Sequence, residues 1–289
     1  MLTAAFLWTI SAAAGENRVS KHTEYRDCSS PQGCPVMVYL PAGSFVMGSP
    51  RNEPGRFDDE DQRVVKVHAF SVAKFATTRG EWKIYAKQAN QPAKEAPCAY
   101  AQTQHPTWAD PGFAQEDTHP VVCISWGDAV AYARWLSAKT GHSYRLLTDP
   151  EREYAARAGT TTAFPWGSAA SHQFANYGLD ECCGPAKALR DKWMFTSPVG
   201  SFPPNRFRLY DMHGNVFEWT STCADPFEKL QRKAGPAGCA HRYARGGVYA
   251  DRPALMRSAA KNYAPPEDDA MNIETYRSAG FGFRVARDD

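Results

Sequence analysis

Between Thr160 and Asp289 the chain scatters Gly, Pro, Asn and aromatic residues at short intervals and shows almost no hydrophobic period of either helix or strand type. A stretch without a repeating apolar face cannot bury itself as stacked helices or long strands. It can fold only as a loop-rich body with short strands, held by staples beyond hydrophobic burial. Val199–Phe202, Val216–Thr220, Ala244–Tyr249 and Gly282–Ala286 are the expected strands. One kind of staple is visible as eight cysteines: Cys28, Cys34, Cys98, Cys123, Cys182, Cys183, Cys223 and Cys239. An even set in an exported chain reads as disulfides. Cys28 with Cys34 and Cys223 with Cys239 are natural local loops, and Cys98 with Cys123 is a longer one. Cys182-Cys183 leaves open a vicinal disulfide, a rigid turn before Gly184-Pro185, or two separate pairings. Zinc is disfavoured, because no CxxC pair occurs and no histidine clusters with the cysteines.

The first half is better punctuated. Val36–Tyr39 and Ser44–Gly48 flank Pro41-Ala42-Gly43 and read as a hairpin, and Val64–Phe70 alternates with Val65 and Val67 on one side. Three helices open on capping boxes, in which a Ser or Thr hydroxyl and an acid three residues on satisfy orphan amides. They start at Thr78, Ser125 and Thr148, and end near Gln88, Gly141 and Ala158. Glu153 and Arg157 form an i,i+4 pair on the third. Residues 1–15 combine an apolar run with Ala12-Ala13-Ala14, which reads as a signal peptide and a periplasmic or secreted location. A polar segment over 16–35 and one domain over 36–287 complete the organisation. The net charge of +2 and the absence of a basic block interleaved with aromatics give nucleic-acid binding no support. No stretch is long and apolar enough to span a bilayer.

An ordered set of motifs is more specific. It runs from Pro41-Ala42-Gly43-Ser44-Phe45-Val46-Met47-Gly48 through His119-Pro120-Val121-Val122, Tyr144-Arg145-Leu146-Leu147-Thr148, Glu153-Tyr154-Ala155-Ala156-Arg157 and Phe164-Pro165-Trp166-Gly167. It continues with Ala175-Asn176-Tyr177, Pro198-Val199-Gly200-Ser201-Phe202, Asp211-Met212-His213-Gly214-Asn215-Val216-Phe217-Glu218-Trp219, Arg245-Gly246-Gly247 and Gly280-Phe281-Gly282-Phe283-Arg284. This set resembles the formylglycine-generating-enzyme (sulfatase-modifying-factor) family. The resemblance implies an α+β, C-type-lectin-like fold with little regular secondary structure, stabilised by calcium. Its two family calcium sites match Asn176, Tyr177, Asp191 and Trp193, and Asn215, Val216 and Glu218. Side chains of the Asn, Asp and Glu residues and carbonyls of the others are the implied donors, a set suited to a hard cation.

In active family members the segment after Arg-Gly-Gly carries a serine and two cysteines that bind copper(I) and engage a substrate thiol. Here Val248 stands at the serine position, and Asp251 and Met256 stand at the cysteine positions. A carboxylate and a thioether make a poor copper(I) pair, so copper is not expected. Tyr249, Asp251, Arg252 and Arg257 are the candidate lining of a repurposed cleft, with a solvated charged face as the plain alternative. His68, His119 and His213 read as packing residues. The resemblance implies an exported maturation or tailoring factor with altered, oxidoreductase-like chemistry. Relatives without the cysteine pair include a periplasmic protein that helps oxidise a siderophore chromophore and proteins accompanying copper nitrite reductases. The alternative is a non-catalytic module that holds a peptide, glycan or envelope partner.

Overall fold

The computed structural model describes residues 24–28, 33–91, 96–178, 191–224, 241–264 and 275–289. The leader, and with it Cys182, Cys183 and Cys239, lies outside them. Three helices form as their caps dictate: α1 (Arg79–Gln88), α2 (Trp126–Thr140) and α3 (Asp149–Arg157), each with a complete reciprocal capping box. Helix α2 stops at Gly141 in the left-handed region. Helix α3 turns left-handed one residue before its glycine, at Ala158.

The strands are β1 (Glu24–Tyr25), β2 (Met37–Leu40), β3 (Gly43–Met47), β4 (Arg63–Val67), β5 (Phe70–Ala73), β6 (Tyr144–Leu146), β7 (Phe217–Ala224), β8 (His241–Arg245), β9 (Asn262–Ala264), β10 (Phe281–Phe283) and β11 (Val285–Asp288). They build a five-stranded sheet β1-β2-β5-β11-β6, a four-stranded sheet β10-β7-β8-β9 and the pair β3-β4. The expected hairpin of β2 with β3 does not form. Strand β2 pairs with β1 and β5, whereas β3 pairs with β4. Burial explains the parting: Met37, Val38 and Leu40 are apolar on both faces, as a central strand needs, while β3 alternates half-buried and exposed residues. Val199–Phe202 is a turn, not a strand, and the expected C-terminal strand is two strands in different sheets, parted at Arg284.

The main core joins α1, α2 and both large sheets. Tyr132 stacks on Trp82 at 5.8 Å between ring centroids and meets Phe283 edge-on at 5.2 Å. Two expected disulfides are present, Cys28–Cys34 and Cys98–Cys123. Cys223 is disulfide-bonded, with its partner outside the described residues.

Candidate functional site

Strand β8 delivers Arg245 into the interior, where it is 1% exposed. Its guanidinium pairs with Asp149, lies 3.0 Å from Glu153 Oε2, and donates to the carbonyls of Ser258 and Ala259 at 3.0 and 3.2 Å. This arginine therefore ties α3 to the far end of the Arg245–Ser258 segment. The chain then reverses through Gly246 and Gly247, both left-handed. A Cβ on Gly247 would lie 2.7 Å from Met256 Cβ, so this reversal admits only glycine.

Beyond the reversal, Asp251 Oδ2 accepts the Val248 N–H at 2.9 Å, and the Asp251 N–H donates to the Val248 carbonyl at 3.0 Å. Its carboxylate thus closes a turn. Burial lifts its pKa to about 6, against the opposing pull of that amide. Tyr249 is buried, its ring edge-on to the stacked pair Phe113 and Phe195. A 3-10 turn, Pro253–Met256, carries Met256 into an apolar cluster with Phe164, Ala175 and Tyr177 at 0% exposure. Arg257 is buried too. It pairs with Glu53 and Glu60 at 2.6 Å each and donates to the Gly55 carbonyl at 2.6 Å. Of the four residues expected to line a cleft, only Asp251 and Arg252 reach solvent; Tyr249 and Arg257 hold the segment down from inside.

The two expected calcium constellations differ in kind. Asp191 Oδ2 accepts the Tyr177 N–H at 3.3 Å and Oδ1 accepts the Trp193 N–H at 3.1 Å, which gathers Asn176, Tyr177, Asp191 and Trp193. Asn176 donates its Nδ2 to the Phe195 carbonyl, but its buried Oδ1 has no hydrogen-bond partner among the described residues. An orphaned buried oxygen is what a hard cation satisfies, so Asn176 offers calcium a donor, while Asp191 Oδ2 also meets His172 Nδ1 at 2.9 Å. The side chains of the second set offer no such oxygen. Asn215 is a strap to Ser197, accepting its N–H at 2.9 Å and donating to its carbonyl at 3.1 Å. Glu218 has both oxygens taken by guanidiniums, Arg152 Nε at 2.7 Å and Arg284 Nη2 at 2.9 Å. Burial alone would raise the Glu218 carboxyl; the two arginines outweigh it and hold it below the usual range.

A cavity of about 110 Å3 is bounded in part by Trp166, Phe174, Leu209, Asp211 and His213. His213 Nδ1 lies 2.7 Å from the Met256 carbonyl. A carbonyl only accepts, so Nδ1 carries the proton, and the Ala156 backbone is the ring's other polar neighbour. Burial pushes this imidazole down to about 4, keeping it neutral, and lifts nearby Asp211 to about 6. Asp211 opens one of the family motifs without being singled out as a site residue, and Arg152 lies outside them, because a charged residue within a helix or a turn gives no periodic signal of burial.

Residues 25–289 match the family model of the sulfatase-modifying factor enzyme 1-like domain. The chain is 33% identical to the formylglycine-generating enzyme of Mycobacterium tuberculosis, over 67% of this chain and 76% of that protein. It is 29% identical to the inactive C-alpha-formylglycine-generating enzyme 2 of Mus musculus, over 87% and 85% respectively. Among solved structures it is similar to PvdO from Pseudomonas aeruginosa, with 35% identity, a TM-score of 0.76, and 93% of this chain and 98% of that one covered. The chain belongs to the formylglycine-generating-enzyme, or sulfatase-modifying-factor, family.

Proposed function

We propose that the protein is an exported maturation or tailoring factor with oxidoreductase-like chemistry on a siderophore-type or metalloenzyme precursor, and not a copper-dependent sulfatase activator. One observation carries this reading. The Arg245–Ser258 segment has no cysteine, and its two family thiol positions hold a turn-closing carboxylate, Asp251, and a fully buried thioether, Met256. Copper(I) and a substrate thiol need soft thiolates, and neither side chain supplies one. Similarity to PvdO and to a hercynine oxygenase of Mycolicibacterium smegmatis, 29% identical over 79% of this chain and 58% of that protein, supports a tailoring role within the family. Cys28–Cys34 and Cys98–Cys123 support export, since such bonds persist in oxidising compartments.

Incubation with copper(I), oxygen and a Cys-x-Pro-x-Arg peptide is expected to give no aldehyde by mass spectrometry; turnover sinks the reading. Deletion of the gene should leave an unoxidised precursor that the purified protein converts. The similarity to an inactive mouse relative favours a second reading, a non-catalytic binding module. Unchanged metabolite and metalloenzyme profiles after deletion would select it.

We also assign a structural calcium to Asn176 and Asp191, with the Tyr177 and Trp193 carbonyls. A ligand at a hundred times its Kd stabilises the fold by about 2.7 kcal/mol. Chelation should therefore lower Tm by about 5 °C. An Asp191→Asn variant should lose that response; a Tm insensitive to chelator in the wild type refutes the assignment.

A further inference from the structure

The turn Asp211–Glu218 gathers oxygen donors around a side chain that does not belong to it. Arg152 projects from α3, is 1% exposed, and places Nε 2.7 Å from Glu218 Oε2 and Nη2 2.8 Å from the Met212 carbonyl. A Cβ built on Gly246 would meet Arg152 Nη2, the Met212 carbonyl and the Val216 carbonyl at 2.9, 3.3 and 3.6 Å, so all three lie in one small space. Asp211 lies within electrostatic reach of Glu218 and Arg284, and its buried Oδ1 has no hydrogen-bond partner among the described residues. A carboxylate, Glu218, and the Met212 and Val216 carbonyls are donors of the kind a divalent cation takes. What they meet is a guanidinium.

We infer that Arg152 is a built-in cation standing in place of a metal ion at this turn, so that the wild-type turn binds no calcium. The charge arithmetic supports the exchange. Glu218 already faces two guanidiniums, Arg152 and Arg284, with Arg245 a further positive neighbour of Arg152. A divalent ion would enter against that field and could reach Glu218 only by displacing an arginine. The guanidinium also provides what a metal provides in a loop-rich body: it binds a side chain on β7 and a turn carbonyl to a helix. Burial pushes Arg152 down only to about 10, so it stays charged at neutral pH.

The inference does not depend on the calcium assigned to Asn176 and Asp191, and its test separates the two. Calcium bound to the full chain is counted by isothermal titration and by equilibrium dialysis, for wild type, Arg152→Ala and Arg152→Met. Wild type is expected to bind one ion, lost in Asp191→Asn. A count of zero refutes the Asn176 site and leaves this inference standing, whereas two ions overturn it. Arg152→Ala opens the space and leaves Glu218 with Arg284 as its one remaining guanidinium, so it should bind one ion more than wild type and regain in calcium part of the Tm it loses in chelator. Arg152→Met removes the charge but fills the space, and should show neither gain nor calcium-dependent rescue. An Arg152→Ala protein with the wild-type count and a calcium-independent Tm overturns the inference. If Arg152→Ala folds in neither condition, the wild-type count alone decides, two ions against and fewer in favour.

Discussion

Arg245→Met should lower the stability of the fold by about 3–5 kcal/mol, the range for removing one partner of a buried charge network. The size follows from what is left behind. Asp149 is 2% exposed and Glu153 is 1% exposed, and without Arg245 the first loses its guanidinium while the second keeps only Arg157. The carbonyls of Ser258 and Ala259 lose a shared donor in the same step. Methionine matches the arginine stem and cannot replace any of these contacts. The measurement is urea unfolding, in which the midpoint should fall with an unchanged slope. A loss under about 1 kcal/mol would mean that the network contributes little beyond packing. Because the same guanidinium anchors both ends of the Arg245–Ser258 segment, proteolysis within Val248–Arg252 should accelerate in this variant. Arg257→Met should act similarly from the other side, by freeing Glu53 and Glu60.

The helices and the altered catalytic segment were legible in sequence for different reasons. Capping is a local device, so Thr78, Ser125 and Thr148 announce their helices without help from the rest of the chain. Val248, Asp251 and Met256 were legible by position within an ordered set of motifs, and that set is the family's. Strand partnership was not legible. Residues 37–47 carry a turn signal at Pro41 that suits a hairpin, yet β2 and β3 leave it for different sheets, because β2 is taken between β1 and β5 and β3 pairs with β4. Burial of charge was not legible either. Nothing local distinguishes Arg252, which is exposed, from Arg257, which is 3% exposed and clamped by Glu53 and Glu60 some two hundred positions earlier. Sequence alone therefore puts Arg257 on a cleft that it underpins from inside, and gives no sign of Arg152, whose partner Glu218 is distant in sequence.

Asp211→Asn and His213→Gln should tilt the acid limb of the stability curve in opposite directions. His213 takes a proton near 6.5 when unfolded and near 4 when folded, chiefly because it is buried. Between those values the unfolded chain binds more protons, so this group lowers stability as pH falls, by about 3 kcal/mol over the window. Asp211 is raised by burial from about 3.9 to about 6, against the Gly200 N–H that favours its charged form. Between those values the folded chain binds more protons, so this group raises stability as pH falls, by a similar amount. The two residues border the same cavity and their effects largely cancel in the wild type between about pH 6.5 and 4. His213→Gln leaves Asp211 unopposed and should make the protein gain stability toward pH 4 relative to wild type. Asp211→Asn keeps an acceptor for Gly200, leaves His213 unopposed, and should make it lose about 3 kcal/mol over the same range. Urea midpoints at pH 7, 5.5 and 4.5 test this directly. Parallel curves for the two variants would show that neither group titrates far from its ordinary value, and that the wall of this cavity is more hydrated than its geometry implies.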